Sequence, residues 1–259
     1  MQAIELLPLV LIAFSAGLID AAVGGGGLIQ VPGLFSTLPQ HTPSTLFGTN
    51  KFSSVFGTGM AAWRYARKID IAWKLVIPAA LTAFAFSFIG AMAVSYIPPA
   101  WMRPLVLAML LFMLGYTLRK KDFGALHRPS HIGRRELIIA LAIGGAIGFY
   151  DGLFGPGTGS FLIFLFIRFF GFDFLRASSA AKIVNVATNL AALAFFIPAG
   201  HVLYHYAIPM AVANIAGAFF GARMAMRGGT TLIRKLFIGL VSVLIAKLAW
   251  DIFGTLLAR

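Results

Sequence analysis

Long apolar runs without a single charge constrain this chain more than any other feature. Residues 75–97 contain no Asp, Glu, Lys or Arg, and neither do residues 105–118 or 138–149. A helix rises about 1.5 Å per residue, so about 20 apolar residues cross a hydrocarbon core of about 30 Å. Composition agrees, because 59% of the 259 residues are hydrophobic, only 11% are charged, and mean hydropathy is +0.89. An average soluble domain is about 45–50% apolar and about 25% charged. The expectation is an all-α polytopic membrane protein, multi-pass in the cytoplasmic (inner) membrane. A membrane β-barrel would need repeated alternating segments of about ten residues, and the sequence has none.

The net charge of +13 does not point to nucleic acid, because the basic residues sit mainly at the ends of apolar runs. That is where the positive-inside rule places them. The absence of Cys excludes a disulfide framework, a thiolate metal site and a cysteine nucleophile. The opening residues Met1 to Glu5 lack a basic n-region, so the first apolar run reads as a retained membrane segment.

Cutting at charge clusters, Gly/Pro clusters and polar turns predicts ten segments. They are 4–22, 26–38, 43–63, 75–97 and 101–118, then 136–153, 158–170, 176–199, 204–222 and 235–257. Segments 26–38 and 158–170 are too short to cross a bilayer and read as half-helices. A basic stretch at 119–135, carrying Arg119, Lys120, Lys121, Arg128, Arg134 and Arg135, divides an N-terminal repeat (1–118) from a C-terminal one (136–259).

The halves match at a constant offset of 131 residues. Asp20 pairs with Asp151, Gly24 with Gly155, Gly26 with Gly157, Lys51 with Lys182, Pro78 with Pro209 and Arg103 with Arg234. Loop charge sets their relative orientation. The turn at 64–74 carries Arg64, Arg67, Lys68 and Lys74, whereas its counterpart at 195–205 has no Lys or Arg. Conversely, 92–103 has only Arg103, whereas its counterpart holds Arg223, Arg227 and Arg234, with Lys235 next to it. The same unit is therefore expected to face opposite ways, giving two inverted-topology repeats of about five helical segments each. The 64–74 turn and the 119–135 linker are expected in the cytoplasm and both termini outside. Whether 4–38 and 136–170 cross twice or form re-entrant hairpins stays open.

Two constellations could carry chemistry. Asp20 precedes Gly24, Gly25, Gly26 and Gly27, and Asp151 precedes Gly155, Pro156, Gly157, Thr158 and Gly159. Consecutive glycines weaken a helix by roughly 0.8–1.0 kcal/mol each, and Pro156 interrupts it. Broken helices at membrane depth are tolerated only against protein or a wet cavity. Freed amides at the start of a half-helix attract anions. Close packing of small residues is the competing reading, and duplication beside an Asp favours a binding element.

The second constellation is Lys51 and Lys182, two ammonium groups that pseudo-symmetry would bring together around a small anion. Ionisable residues in membrane segments usually face a cavity or a partner. For Lys182 this reading outweighs snorkelling to a headgroup, while for Lys51 the two balance. A structural Asp–Lys pair is the other alternative, because each Lys lies 31 residues after its Asp. Thr49, Asn50, Asn185, Thr188 and Asn189 could donate hydrogen bonds, and Lys182, Asn185 and Asn189 share a helix face. Interhelical hydrogen bonding explains the Asn residues equally well. Trp63, Trp73, Tyr96 and Trp101 read as aromatic-belt residues, His201 and His205 as solvated, and Asp173 as a local partner of Arg176. No zinc-protease motif or P-loop occurs, and Ser160 lacks the Gly-x-Ser-x-Gly context of a nucleophile.

The runs at 17–27 (Gly-Leu-Ile-Asp-Ala-Ala-Val-Gly-Gly-Gly-Gly) and 148–159 (Gly-Phe-Tyr-Asp-Gly-Leu-Phe-Gly-Pro-Gly-Thr-Gly) resemble the signature stretches of the TauE/SafE family, the sulfite/organosulfonate exporters. The likeness covers essentially the whole chain. It implies a transporter built from two related halves, with small sulfur-containing anions as substrates and Asp20, Gly24–Gly27, Asp151 and Gly155–Gly159 in its two signature stretches. Residues and resemblance together predict a non-enzymatic secondary transporter, an exporter of a small anion working by alternating access around a midplane site. No cofactor or metal is expected. The expected partners are the anion, the bilayer and a coupling ion such as a proton, with homo-oligomerisation left open. Asp20 and Asp151 would exchange a proton or form structural ion pairs. The alternative is a membrane-embedded binding or assembly protein, or a passive anion channel without coupled transport.

Overall fold

The computed structural model describes residues 2–98 and 133–228, with isolated positions at 101–111 and 242–250. Apart from those isolated positions, the expected segments 101–118 and 235–257 lie outside the described residues, as does most of the basic linker. The described part holds eight helices. They are α1 (Gln2–Val23), α2 (Gly27–Thr37), α3 (Pro43–Ala66) and α4 (Trp73–Val94), then α5 (Arg134–Leu153), α6 (Thr158–Phe170), α7 (Phe174–Phe196) and α8 (Tyr204–Met226). Adding 131 to the start of each of the first four lands within one residue of the start of the corresponding later helix. The all-helical membrane fold is as expected, and α1, α4, α5, α7 and α8 are long and apolar enough to cross a bilayer.

Local chemistry sets the boundaries. Thr42 caps α3 by accepting from the Thr45 amide, with Pro43 in the first turn. Asp173 caps α7 in the same way through the Arg176 amide at 2.8 Å and also pairs with the Arg176 side chain at 3.5 Å. That cap starts α7 at residue 174, two residues before the sequence-based boundary. The helices α2 and α6 have 11 and 13 residues, so both fall short of a bilayer's width.

Packing interleaves the halves. α1 lies along α8 in the same direction, with Gly17 against Asn214 and Gly221 against Leu18. In the same relation α4 lies along α5, with Gly144 against Ala79 and Gly152 against Ser87. A Cβ on Gly152 would fall 2.0 Å from the Ser87 carbonyl, and one on Gly221 2.0 Å from the Leu18 carbonyl. Small residues four apart, Gly144, Gly148 and Gly152, thus let two backbones touch. At the centre α3 and α7 meet head to tail. Gly48 near the start of α3 approaches Phe196 at the end of α7, while Asp70 beyond α3 lies 3.9 Å from Arg176 at the start of α7. Trp63, Trp73, Tyr96 and Trp101 are all exposed, as belt residues would be.

Candidate functional site

Both glycine-rich breaks reach the middle of the molecule and touch each other. α1 stops at Val23 because Gly24 and Gly25 take φ of +71° and +130°, a region that side chains avoid. α5 stops at Leu153 ahead of the Gly155-Pro156-Gly157 turn. A Cβ on Gly24 would lie 2.5 Å from the Gly159 carbonyl carbon, and the Ser160 hydroxyl donates to the carbonyls of Val23 and Gly24. The two breaks therefore cross in contact, and glycine is required there for lack of space.

Beside the crossing are two buried ion pairs. Lys51 Nζ on α3 is 2.6 Å from Asp151 Oδ2 at the end of α5, and Lys182 Nζ on α7 is 2.8 Å from Asp20 Oδ2 at the end of α1. Lys51 is 2% exposed and Lys182 fully buried. Neither can snorkel to a headgroup, so for Lys51 the balance left open by the sequence falls to the interior. The Asp–Lys alternative holds in a form the spacing did not suggest, since each Lys pairs with the carboxylate of the other half.

The carboxylates are further restrained. Asp20 Oδ1 accepts from the amides of Gly25 and Gly26 at 3.3 and 3.4 Å, and Oδ2 from the Thr58 hydroxyl at 3.3 Å. Asp151 Oδ1 accepts from the Thr158 hydroxyl at 2.6 Å. At the first break the freed amides of Gly25 and Gly26 are thus engaged by the chain itself. The chain's own Asp20 carboxylate already occupies the positive end of α2, which suits the dipole.

A polar cavity lies against Asp20, Lys51 and Asp151 of these pairs, with about 20 Å³ of internal room. That is enough for about one water molecule. Its walls include Asp20, Gly25, Gly26, Gly27, Asn50 and Lys51 from the first half, with Asp151, Gly155, Gly157, Thr158, Asn185 and Asn189 from the second. A Cβ on Gly155 would come within 3.2 Å of Lys51 Nζ, so this glycine makes room for an ammonium. Asn189 donates to Asn185 Oδ1 at 3.2 Å. Asn50 Oδ1 is buried without a hydrogen-bond partner.

Three expected residues are not in the lining, and the first is Lys182, whose Nζ is turned to the Asp20 carboxylate. Thr49 is fully buried but turns away, donating to the Thr45 carbonyl at 2.7 Å and accepting from the Leu203 amide at 3.0 Å. Its short side chain on α3 projects toward the α7–α8 connection and ties the helix to it. Gly24 is absent from the lining because it is consumed by the crossing with Gly159. Among the weaker expectations, His201 is not simply solvated, since its Nδ1 lies 3.3 Å from Thr45 Oγ1. The sequence reading missed Ser54, Thr58 and Asn214, all of which line the cavity. The offset could have found two of them, because Ser54 and Thr58 correspond to Asn185 and Asn189. Asn214 corresponds to Ala83, so no repeat signal marks it.

No solved structure matches this chain. The family profile described as "Sulfite exporter TauE/SafE" matches residues 9–248. The chain is 34% identical over 235 residues to "Probable membrane transporter protein ORF9" of Sinorhizobium sp, an alignment covering 90% of this chain and 88% of that protein. It is 34% identical over 247 residues to "Probable membrane transporter protein YfcA" of Escherichia coli K12, covering 94% and 89% respectively. "Probable membrane transporter protein" of Haemophilus influenzae is 32% identical over 241 residues, covering 93% and 92%. With a family match over nearly its whole length and relatives above 30% identity along most of it, this multi-pass membrane protein belongs to the TauE/SafE family of membrane transporters.

Proposed function

We propose that this chain is a secondary transporter of the inner membrane that exports a small anion, a sulfur-containing oxyanion or an organosulfonate. One observation carries the reading. Two buried ion pairs, each joining a lysine to a carboxylate of the opposite half, meet at one polar cavity where two broken helices cross, with Lys51, Asp151 and Asp20 in its wall and Lys182 behind Asp20. The family description, a sulfite exporter, supports the choice of a sulfur anion.

Two lysines and two aspartates sum to zero charge in a medium where a lone charge is expensive. An entering anion competes with Asp20 or Asp151 for a lysine, and the freed carboxylate takes up a proton to keep the site neutral. Thr58, Asn185 and Asn189 supply hydrogen bonds to anion oxygens once the cavity widens, and the unpartnered Asn50 Oδ1 accepts from a water or from a protonated anion. A cavity with room for about one water in this state requires such widening.

We infer inverted repeats for the machinery that widens it. The head-to-tail contact of α3 with α7, which correspond at the 131-residue offset, supports this reading, as does the loop-charge asymmetry. Such halves exchange conformations in alternating access, by rocking one part against the other. The chain has no P-loop, so an ion or substrate gradient supplies the drive.

The test is sulfite and sulfonate flux into proteoliposomes with and without a pH gradient. Lys182→Ala is expected to abolish saturable flux while chain that remains folded keeps its place in the bilayer. Undiminished flux in that variant would overturn the site. Saturable counterflow separates a carrier from a channel. An anion-independent melting temperature together with no flux would favour a purely structural role for the ion pairs.

A further inference from the structure

A second cavity, of about 240 Å³, opens where α3 ends, α7 begins and α8 ends. Four cations converge on it, Arg64 and Lys68 from the end of α3 and Arg223 and Arg227 from the end of α8. None of them has an ion-pair partner among the described residues. Arg64 stacks on the Phe219 ring at 3.9 Å, and its Nε is buried without a hydrogen-bond acceptor. Stacking fixes the guanidinium in place and leaves its Nε donor unused, a costly arrangement unless an acceptor arrives.

The positive-inside rule accounts for cations near this end of the helices, and it does not account for their convergence on one cavity. Nor does the repeat generate the cluster. At the 131-residue offset, Arg64, Lys68, Arg223 and Arg227 correspond to Phe195, Ala199, Met92 and Tyr96, none of them charged. The remaining walls are apolar, from Ile69, Leu175 and Met226. Cations above an apolar floor, with exposed Trp63 and Trp73 nearby in sequence, match a ligand that is anionic at one end and apolar below.

We propose that this pocket binds a phosphate-bearing anion, the headgroup of an anionic phospholipid, and that the bound lipid ties the end of α3 to the end of α8. Both helices line the central cavity, through Lys51 and Asn214, so the pocket sits on the elements that shape that site. The proposal does not depend on which anion the protein transports.

Thermal unfolding of the purified full chain in neutral detergent tests it, titrating short-chain phosphatidylglycerol, short-chain phosphatidylcholine or inorganic phosphate. Phosphatidylglycerol is expected to raise the melting temperature where phosphatidylcholine does not. Arg223→Gln/Arg227→Gln is expected to need roughly 10- to 30-fold more phosphatidylglycerol for the same shift. Lys68→Gln is a single-charge version should the double variant fold poorly, and Lys74→Gln, outside the pocket, should respond as the wild type does. An equal response to inorganic phosphate, lost in the same variants, would identify the free anion as the source of the same chemistry. Equal shifts from both lipids, or an undiminished response in the pocket variants, would overturn the assignment.

Discussion

Each lysine of the central site answers to one particular carboxylate, and this makes residue-scale consequences specific. Removing one partner of a buried pair leaves an uncompensated charge and typically costs about 3–5 kcal/mol. Asp20 is 14% exposed at its side chain, so the lower end applies to Lys182→Met. Its melting temperature should fall markedly, and Asp20→Asn/Lys182→Met should recover most of the loss without restoring transport. A double-mutant cycle is expected to find coupling of about 1–3 kcal/mol between Asp20 and Lys182, and clearly less between Asp20 and Lys51. Coupling in the reverse pattern would show that the crossed pairing is wrong. The four charged residues were legible in the sequence because Asp and Lys are rare in apolar surroundings and recur in register. Their cross-pairing was not legible, since spacing along a chain carries no information about which half's lysine lies nearest in space. Thr49 illustrates the same limit. It adjoins Asn50 and Lys51 in sequence, yet it faces Leu203, because neighbours on a helix point about 100° apart.

At the scale of elements, glycines do two different jobs. On α5 and α8 they let helices approach closely, so Gly152→Leu should lower folded yield in detergent by driving α4 away from α5. Gly59 on α3 meets nothing within 4 Å of an added Cβ, so Gly59→Ala is expected to be neutral or stabilising by up to about 1 kcal/mol in a thermal melt. At the breaks, glycine supplies backbone shape and room. Gly155→Ala would strain a residue at φ +88° and press a methyl toward Lys51 Nζ, so transport should suffer more than yield. The half-helices were readable from the Gly runs, from Pro156 and from the shortness of the apolar stretches behind them, and α6 runs over 158–170 as expected. The Gly144, Gly148, Gly152 series was present in the sequence too, but a small-residue stripe acquires meaning only when its facing helix is known.

For the whole molecule, the inferred inversion makes a prediction about sides. The chain has no native Cys, so single introduced thiols report directly. Lys68→Cys and Arg227→Cys line one cavity and should label from the same face of sealed vesicles. Tyr96→Cys and Gly200→Cys should label from the other face, consistent with the nearby meeting of Phe88 and Phe195 at 6.3 Å. Labelling of all four from one side would exclude inverted halves. The sequence by itself determined that this chain lives in a bilayer, that its halves match at a constant offset, and where its helices break. Hydropathy, rare buried charges and Gly/Pro chemistry are local properties, each confined to a short stretch of chain. Only the tertiary structure decided that the breaks cross in contact, that each half neutralises the other's lysine, and that an Asp carboxylate already takes up the Gly25 and Gly26 amides ahead of α2. The first two are contacts between residues 100 or more positions apart, and the third is a competition between a nearby carboxylate and an outside anion. Packing alone selects among such outcomes.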